Sequence, residues 1–283
     1  MALQYDLALL VLLAALAHAA WNALLKSSGD QALTFAMLRA VAFVIGSVAA
    51  ILLPLPAVES WPYLIASAII HNAYYVLLLY AYRHGDLSLV YPIARGGAPM
   101  LVAILAALFA GEMPGLTGAV GVALVSAGIL GLAFAHGIPR GAPATAIWLA
   151  VGTAAATASY TLADGLGTRA SGNALAYAAW LFICDGLPFL LYMAWRRGPD
   201  LIAHAQRDWR RGLSGGLLMM GTYALILYAF TQGAMATVSA LRETSVLFAA
   251  IIGAVILKES LGPRRIAAAA VIVAGVVLLQ LSR

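Results

Sequence analysis

Charged side chains are scarce in this sequence. Asp, Glu, Lys and Arg make up only 10% of the 283 residues, while 64% are hydrophobic. Soluble globular proteins carry roughly 25% charged residues, and so few charges cannot cover a water-exposed surface. This shortage excludes an ordinary soluble enzyme or binding domain. A membrane-spanning helix needs roughly 20 apolar residues, so the chain has room for about ten spans joined by short turns.

Several chemical motifs are missing as well. Cys184 is the only cysteine, which excludes an intrachain disulfide and a cysteine-rich metal site. Neither a GxxxxGK[ST] phosphate-binding loop nor an HExxH metal motif occurs in the sequence. We therefore expect no cofactor, no metal ion and no ATP drive within this chain. A membrane-embedded enzyme acting on lipids stays an alternative without a motif to support it.

What the sequence does have is a series of apolar runs, separated by Gly, Pro and charged residues. These runs predict an all-α integral membrane protein with spans near residues 6–25, 32–53, 61–82, 88–110, 115–136, 144–164, 173–195, 212–231, 237–257 and 264–282. Most connections are short, so consecutive helices are expected to be antiparallel neighbours. The exception is residues 195–211, WRRGPDLIAHAQRDWRR, which predicts a surface loop.

Basic residues are distributed unevenly between the connections. One side of the membrane, reached after each odd-numbered span, would hold Lys26, Arg83, Arg140, Arg196, Arg197, Arg207, Arg210, Arg211, Lys258, Arg264 and Arg265. The other side has only Arg169 and Arg283. The positive-inside rule makes the crowded side cytoplasmic and places both chain ends outside. Because these cations lie in short juxtamembrane turns, the net charge of +5 indicates topology and no nucleic-acid partner.

The sequence also contains an internal repeat, with residues 1–137 as the first unit and 141–283 as the second. Three residues recur 148 positions later, in the pairs Tyr75 with Tyr223, Tyr80 with Tyr228 and Gly85 with Gly233. After a skip of one residue the offset is 147, in the pairs Arg95 with Arg242, Glu112 with Glu259 and Gly128 with Gly275. Chance aligns Gly and Ala easily in apolar runs, but it rarely pairs Arg, Glu and Tyr together.

An odd number of helices in each unit has a topological consequence. With five spans per unit, the second unit enters the membrane upside down relative to the first. Inverted repeats are typical of secondary transporters, in which the two halves rock around a site at their interface. The repeat therefore predicts ten helices around a central cavity and transport by alternating access.

Several segments resemble the drug/metabolite transporter superfamily, specifically its ten-helix EamA-type members. These segments are AHAAWNALLK in the first span, YRHGDLSLVYPIARG, and LRETSVLFAAIIGAVILKE, together with Glu112 and Glu259. The resemblance covers essentially the whole chain and implies a basket of ten helices in the cytoplasmic membrane, commonly exporting amino acids and related compounds. Many relatives have a basic start and an inside N-terminus. This chain lacks the basic start, so the charge distribution decides the expected orientation.

Ionisable side chains inside spans cost about 2.5–3.5 kcal/mol each, so they normally face a cavity or a partner. Structural ion pairs are one interpretation, for example Arg39 with Asp185. Arg95 and Arg242 are the strongest candidates for binding an anionic group, because the repeat points both toward one cavity. Proton coupling would need a titrating carboxyl, for which Glu243 and Asp185 are the candidates. Glu243 is about 100° from its neighbour Arg242 on a helix, so we do not expect these two side chains to pair.

Aromatic and polar side chains complete the predicted lining. His71, Tyr75 and Tyr82 lie near one face of the third span, with Leu78 between them. The other predicted lining residues are Trp21, Asn22, Tyr91, Tyr160, Trp180, Tyr223 and Ser245. Membrane Trp and Tyr more often form interfacial belts, but several of these residues lie deep within their spans. Such a lining suits amino acids with large side chains, other flat or apolar solutes, or organic cations.

Together these patterns predict a secondary transporter that exports amino acids or related small metabolites, with aromatic amino acids as the preferred substrates. Its partners are a small-molecule substrate and the lipid bilayer, and we expect a monomer in the inner membrane of a bacterium. A multidrug or organic-cation exporter is the closest alternative. A passive channel and a helper subunit also remain open.

Overall fold

The computed structural model describes residues 5–85, 87–134, 143–256 and 262–282, and every regular element within them is helical. The helices are α1 Tyr5–Lys26, α2 Gln31–Leu52, α3 Trp61–His84, α4 Leu87–Phe109, α5 Leu116–Ala133, α6 Ala144–Ala170, α7 Ala174–Gln232, α8 Met235–Glu243, α9 Ser245–Ile256 and α10 Pro263–Leu281. Within the described ranges, eight helical stretches are long and apolar enough to cross a membrane, and α5 is a shorter apolar helix. The apolar runs of the sequence thus coincide with helices. Lys258, Glu259, Arg140 and Arg283 lie outside the described residues.

Polar caps and glycines define where several helices begin and end. The Asp30 carboxylate accepts a hydrogen bond from the Leu33 N–H (3.0 Å) and starts α2, as N-cap residues do. At the other end of the bundle, the Asn173 side chain accepts from two N–H groups and starts α7. Helix α3 ends at Gly85 and α7 ends at Gly233, both with extended backbone (φ −152° and −145°). These glycines occupy equivalent positions in the sequence repeat.

The first helix of each half packs against the other half of the chain. Helix α1 lies against α7, α8 and α9, while α6 lies against α3 and α4. Helix α2 packs along α7, and α5 along α10. Buried apolar side chains of α1, such as Val11 and Ala14, join the same cluster as Leu227 and Phe230 of α7. A central space is therefore enclosed by helices of both halves.

Residues 195–211 are not the surface loop that the sequence predicts. Helix α7 continues through them, with non-helical backbone only at Arg197 and Asp208. Between these two breaks, Leu201 packs against the cluster of Leu33, Ala36 and Met193, and His204 is buried (5% exposed). The prediction was wrong because the segment's apolar side finds its partner on α2, which is remote in sequence.

Polar contacts fix this connecting helix to the start of α2. The His204 Nε2 atom lies 2.9 Å from the Thr34 Oγ1 atom, and the Arg197 guanidinium donates to the Asp30 carboxylate at 2.7 Å. The Leu33 N–H, and to a lesser extent Arg197, lower the pKa of the Asp30 carboxyl. Hydrogen bonds to Asp30 and Asp200 raise the pKa of the Arg197 guanidinium. This junction lies at the same end of the bundle as Lys26.

A second departure is a break in the span predicted over residues 237–257. The chain there forms two helices, α8 and α9, which meet at Thr244. The Thr244 N–H donates to the Leu241 carbonyl (3.1 Å), and the Thr244 carbonyl accepts from the Leu247 N–H (2.8 Å). These three-residue steps are tighter than those of an α-helix. Arg242 and Glu243 consequently form the last turn of α8, immediately before the break.

Candidate functional site

A central cavity of about 390 Å³ lies between the two halves, within the range of small-molecule sites. Its wall consists of His18, Trp21, Asn22, Leu25, Phe35, Arg39, His71, Tyr74, Tyr75, Leu78, Tyr82, Tyr91, Ala94, Arg95, Tyr160, Phe182, Met219, Thr222, Tyr223 and Arg242. Leu25 and Tyr82 lie near the ends of α1 and α3 that carry Lys26 and Arg83. The mouth of the cavity is therefore at the basic end of the bundle.

Most of the residues singled out from the sequence meet at this wall. The lining includes Trp21, Asn22, His71, Tyr75, Tyr82, Tyr91, Arg95, Tyr160, Tyr223 and Arg242. Three others are buried but are not part of the described wall. Glu243 and Asp185 lie behind it in ion pairs with lining arginines, and Ser245 begins α9. Their roles in binding or proton coupling stay predictions.

Arg95 and Arg242 converge on one carboxylate. The Arg95 guanidinium lies 3.3 Å from Glu243, and the Arg242 Nη2 atom donates to the Glu243 Oε1 atom at 3.1 Å. Arg95 also contacts His18, whose Nε2 atom is 2.6 Å from the Arg95 Nη2 atom. Since arginine can only donate, that imidazole nitrogen is an unprotonated acceptor. Two cations thus share one anion at the cavity wall.

The pairing of Arg242 with Glu243 corrects the expectation that these neighbours could not share a contact. Both the Nε and Nη2 atoms of Arg242 donate to the Glu243 Oε1 atom, at 3.2 and 3.1 Å. The angle of about 100° applies to helical Cβ directions, whereas these long side chains reach back toward each other at the end of α8. Glu243 is fully buried (0% exposed), and its charge is balanced by contacts with both arginines.

Arg39 and Asp185 form the ion pair predicted from the sequence. Both residues are buried, at 5% and 3% exposure. The Arg39 guanidinium also lies 6.0 Å from the centre of the Phe35 ring and 5.7 Å from that of Tyr75. Because this cation is matched by its own carboxylate and two rings, the pair fixes α2 against α7.

Aromatic rings form much of the remaining wall. The His71 ring stacks on Tyr160 with ring centres 3.8 Å apart, and meets Tyr223 edge-on at 5.8 Å. Tyr74 contacts both Tyr75 (5.4 Å) and Tyr160 (5.8 Å) edge-on. Edge-to-face and stacked contacts of this kind hold rings in fixed orientations. The cavity therefore presents a rigid aromatic surface next to the arginine pair.

Sequence reasoning missed several lining residues. Tyr74 lies one turn from His71, and this i, i+3 spacing could have identified it. Phe35 and Thr222 carry no such signal, because neighbours remote in sequence bring them to the wall. Trp180 was predicted to line the cavity, but it packs edge-on against Trp61 at 5.1 Å. That contact lies toward the end of the bundle opposite the mouth.

A different set of contacts closes this opposite end. Glu112 forms an ion pair with Arg169 and accepts a hydrogen bond from the Met235 N–H (2.7 Å). Arg169 in turn donates to the carbonyls of Phe230 (2.7 Å) and Gly233 (2.8 Å). Glu112, Arg169 and Gly233 also line a second cavity, of about 1030 Å³, at this end. The network therefore joins α6 and α7 to the connection between α4 and α5.

Sequence comparison identifies the kind of protein that carries this cavity. The EamA-like transporter family matches residues 7–134 and again residues 144–281. One solved structure, described only as the crystal structure of a protein, superposes with a TM-score of 0.72 at 16% identity, covering 97% of this chain and 95% of that chain. At this identity the likeness shows the fold alone. No curated protein matches the sequence. Because the family match covers nearly the whole chain, this multi-pass membrane protein belongs to the EamA-like transporter family.

Proposed function

We propose that the protein is a secondary transporter that exports aromatic amino acids or closely related carboxylates across the cytoplasmic membrane by alternating access. The observation that carries the proposal is the pair Arg95 and Arg242, which share Glu243 at the wall of an aromatic cavity. A carrier needs a site that is accessible from one side at a time. The cavity opens at the basic end, while the network around Glu112 and Arg169 closes the other end.

Ten spans in two inverted units would provide the moving parts. The helical stretch α7 would supply two of these spans, one before the break at Arg197 and one after the break at Asp208. Support comes from the reciprocal packing of α1 and α6 into the opposite halves. Further support comes from Arg95 and Arg242, which the repeat aligns and which meet at one carboxylate. Two halves related in this way can rock around the site between them.

The chemistry of the wall favours a solute with a carboxylate and a ring. Glu243 contacts both Arg95 and Arg242, so an incoming carboxylate would compete with it for guanidinium hydrogen bonds. Charge-assisted bonds of this type are about twice as strong as neutral ones. The rings of Tyr74, Tyr75 and Tyr160 would cover the flat side chain of the solute.

Transport direction follows from the charge distribution in this proposal. The positive-inside rule assigns the end with Lys26 and Arg83 to the cytoplasm. The cavity mouth lies at that end, so the described conformation is the one that an exporter would load from inside. Release outside would require the contacts of Arg169 with Glu112 and the Gly233 carbonyl to open.

Ligand-induced thermal stabilisation and counterflow in proteoliposomes test this proposal. Because a ligand that binds only the folded state raises its apparent stability, phenylalanine or tryptophan should raise the melting temperature. We expect Arg95→Ala and Arg242→Ala to insert normally but to lose this shift and at least tenfold of the counterflow. Arg207→Ala, on the exposed side of the connecting helix, is the matched control and should behave as wild type. Full counterflow in both cavity variants would remove the arginines from the site.

Replacing Glu243 gives an opposite prediction for affinity. Glu243→Gln removes the internal competitor for the two guanidinium groups, so phenylalanine should bind more tightly, by about tenfold. Tenfold corresponds to about 1.4 kcal/mol, close to the lower end of the roughly 1.5–3 kcal/mol found for hydrogen bonds to charged groups. Phenethylamine, which has the ring without the carboxylate, should gain nothing. Equal gains for both compounds would contradict the competition with Glu243.

An organic-cation exporter is the second candidate, because Trp21 and several tyrosines could hold a cation against their faces. The same measurements separate the two functions. Stabilisation by phenethylamine without any effect of phenylalanine would favour the cation exporter. Two arginines, Arg95 and Arg242, share the single carboxylate of Glu243. This excess of positive charge at the wall favours a solute that carries a carboxylate.

A further inference from the structure

A third buried carboxylate, that of Asp164, is hydrogen-bonded to a tyrosine that lines the cavity. Asp164 of α6 is fully buried (0% exposed) and is not part of the described wall. Tyr223, which does line the cavity, donates its O–H to the Asp164 Oδ2 atom. Tyr177 donates to the Oδ1 atom at 3.1 Å. Asp164 therefore connects α6 to α7 and contacts the cavity through a single phenol.

The partners of Asp164 differ in kind from those of the other buried carboxylates. Asp185 faces Arg39, and Glu243 faces Arg95 and Arg242. Among the described residues, the hydrogen-bond partners of Asp164 are uncharged hydroxyls, those of Tyr177, Tyr223 and Ser67.

Helix α3 contributes the titratable group His71, which acts electrostatically on Asp164. Its Nδ1 atom contacts the Ser67 carbonyl (3.0 Å) and hydroxyl (3.1 Å). From α8, the cation Arg242 acts on Tyr223 and Tyr160, and from α4 Arg95 acts on Tyr160. On α6 itself, the Arg169 guanidinium is engaged by Glu112. The groups around Asp164 are thus tyrosines, a serine and one histidine.

This difference decides which carboxylate can exchange a proton readily. Protonating Asp185 leaves the Arg39 guanidinium without its anion, and protonating Glu243 does the same to Arg95 and Arg242; removing one partner of a buried ion pair is strongly destabilising. Protonating Asp164 leaves no guanidinium group without its anion: its neighbours are hydroxyls, which can rotate and accept as well as donate, and the His71 imidazole, which has a neutral form. A proton can therefore come and go at Asp164 without stranding a buried cation.

We propose that Asp164 is the proton-coupling site of this transporter and that Tyr223 links its protonation to the solute cavity. The inference rests on the proposed function and assigns the coupling role to Asp164 in place of Glu243 and Asp185. One proton adds to a carboxylate oxygen of Asp164 and later leaves it, with no other bond made or broken. Protonation weakens the charge-assisted hydrogen bonds from Tyr177 and Tyr223, which join α6 to α7.

The position of Asp164 within α6 suits access from both sides. Tyr223 connects it to the cavity that opens at the basic end. Arg169, five residues further along α6, lines the second cavity at the opposite end, and five residues of helix span about 7.5 Å. If the network around Arg169 opens, the Asp164 carboxyl lies within about two helical turns of the water at the end opposite the cavity mouth.

Proteoliposomes with tritiated phenylalanine test the coupling. Counterflow at equal pH on both sides requires only binding and the conformational change, whereas accumulation driven by a pH gradient also requires proton exchange. Asp164→Asn should retain counterflow within about twofold and lose gradient-driven accumulation. The matched control is Asp200→Asn, an exposed residue of the connecting helix, and it should retain both. Gradient-driven accumulation by Asp164→Asn would overturn the proposal.

Infrared titration of the carboxylic C=O stretch tests Asp164 without any solute. A pH-dependent band present in the wild type and absent in Asp164→Asn is the expected result, and its absence from the wild type would overturn the proposal. If phenylalanine counterflow fails in the wild type, the substrate assignment fails, while this titration still decides the role of Asp164.

Tyr177→Phe provides a variant that leaves the carboxyl in place. Tyr177 is buried and lies outside the described cavity wall, and its loss removes one donor to the Asp164 carboxylate. The charged form is then less stable, so the midpoint of the infrared titration should move to higher pH. The pH profile of gradient-driven accumulation should move in the same direction. An unchanged midpoint in this variant would show that the titrating group is elsewhere.

Discussion

At the scale of single residues, the three arginines of the cavity wall are distinguished by how their charges are matched. Arg39 has its own carboxylate, Asp185, and two aromatic rings. Arg95 and Arg242 share Glu243, so their hydrogen-bonding capacity exceeds what one carboxylate can use. In the proposed function a solute carboxylate adds to the shared site, whereas the charge of Arg39 is already matched one to one by Asp185.

Residues outside the membrane spans allow a test of pH dependence. The Leu33 N–H and Arg197 lower the pKa of Asp30 in the folded protein, so its ionised form stabilises the fold. This contribution is present above the pKa of Asp30 in the unfolded chain and is lost as the pH falls through the lower folded pKa. We therefore expect wild type to lose part of its thermal stability in acid.

Asp30→Asn removes the titrating group while keeping a side chain that can cap α2. This variant should be modestly less stable than wild type at neutral pH, and the difference should shrink in acid. Melting temperatures measured in detergent across this pH range provide the check. A difference that stays constant with pH would show that the charge of Asp30 plays no part.

At the scale of helices, close approach between α5 and α10 depends on glycine. A Cβ atom on Gly275 would lie 2.8 Å from the Gly121 carbonyl oxygen and 2.8 Å from the Val125 backbone nitrogen. Both neighbours are backbone atoms and cannot rotate away. Small residues at such positions allow helices in membranes to pack at short range. Gly121 and Gly275 thus fix the distance between these two helices.

Gly275→Leu should force α5 and α10 apart. We expect a loss of about 1–3 kcal/mol or more, as for other overpacked sites, seen as a lower melting temperature and a lower yield of folded protein. Gly221→Ala is the matched control, because no atom lies within 4 Å of the added Cβ. Alanine is favoured over glycine inside a helix by about 0.5–1 kcal/mol, so this control should be as stable as wild type. Equal stability of Gly275→Leu would contradict the close contact.

Helix positions were predictable from the sequence because apolar runs and their breaks are local signals. The meeting of Arg95 with Arg242 followed from the repeat, which relates distant residues by symmetry. The helix within residues 195–211 and the break at Thr244 were not predictable, because contacts with α2 and the buried pair at Glu243 produce them. Asp164 is a similar case, since its partner Tyr223 lies 59 residues away and no repeat relates them.

At the scale of the whole molecule, the two ends of the bundle differ. The cavity mouth, Lys26 and the connecting helix with Arg197 lie at one end, while the pair of Glu112 with Arg169 lies at the other. In the proposed function, inverted threading of two five-helix units would account for this arrangement. The positive-inside rule predicts that the first end faces the cytoplasm.

Single cysteines placed at the two ends test this orientation. In a Cys184→Ser background, Met113→Cys lies in the connection after α4, at an exposed position (79%). An impermeant maleimide should label it from outside intact cells. Ser27→Cys, exposed at the opposite end, should react only after the cells are opened. Labelling of both from the same side would contradict the three spans α2, α3 and α4 that separate these positions, and exchange of the two results would reverse the expected orientation.

The packing of α1 also constrains how the chain is made. Its buried face, including Val11, Ala14 and Ala15 (each 0% exposed), lies against α7, α8 and α9, which the ribosome synthesises only after the first six helices. Until those segments emerge, this face has only lipid or the insertion machinery as a neighbour. The bundle can therefore be completed only after translation has nearly ended, and a nascent chain halted after α5 would hold α1 without its native surroundings.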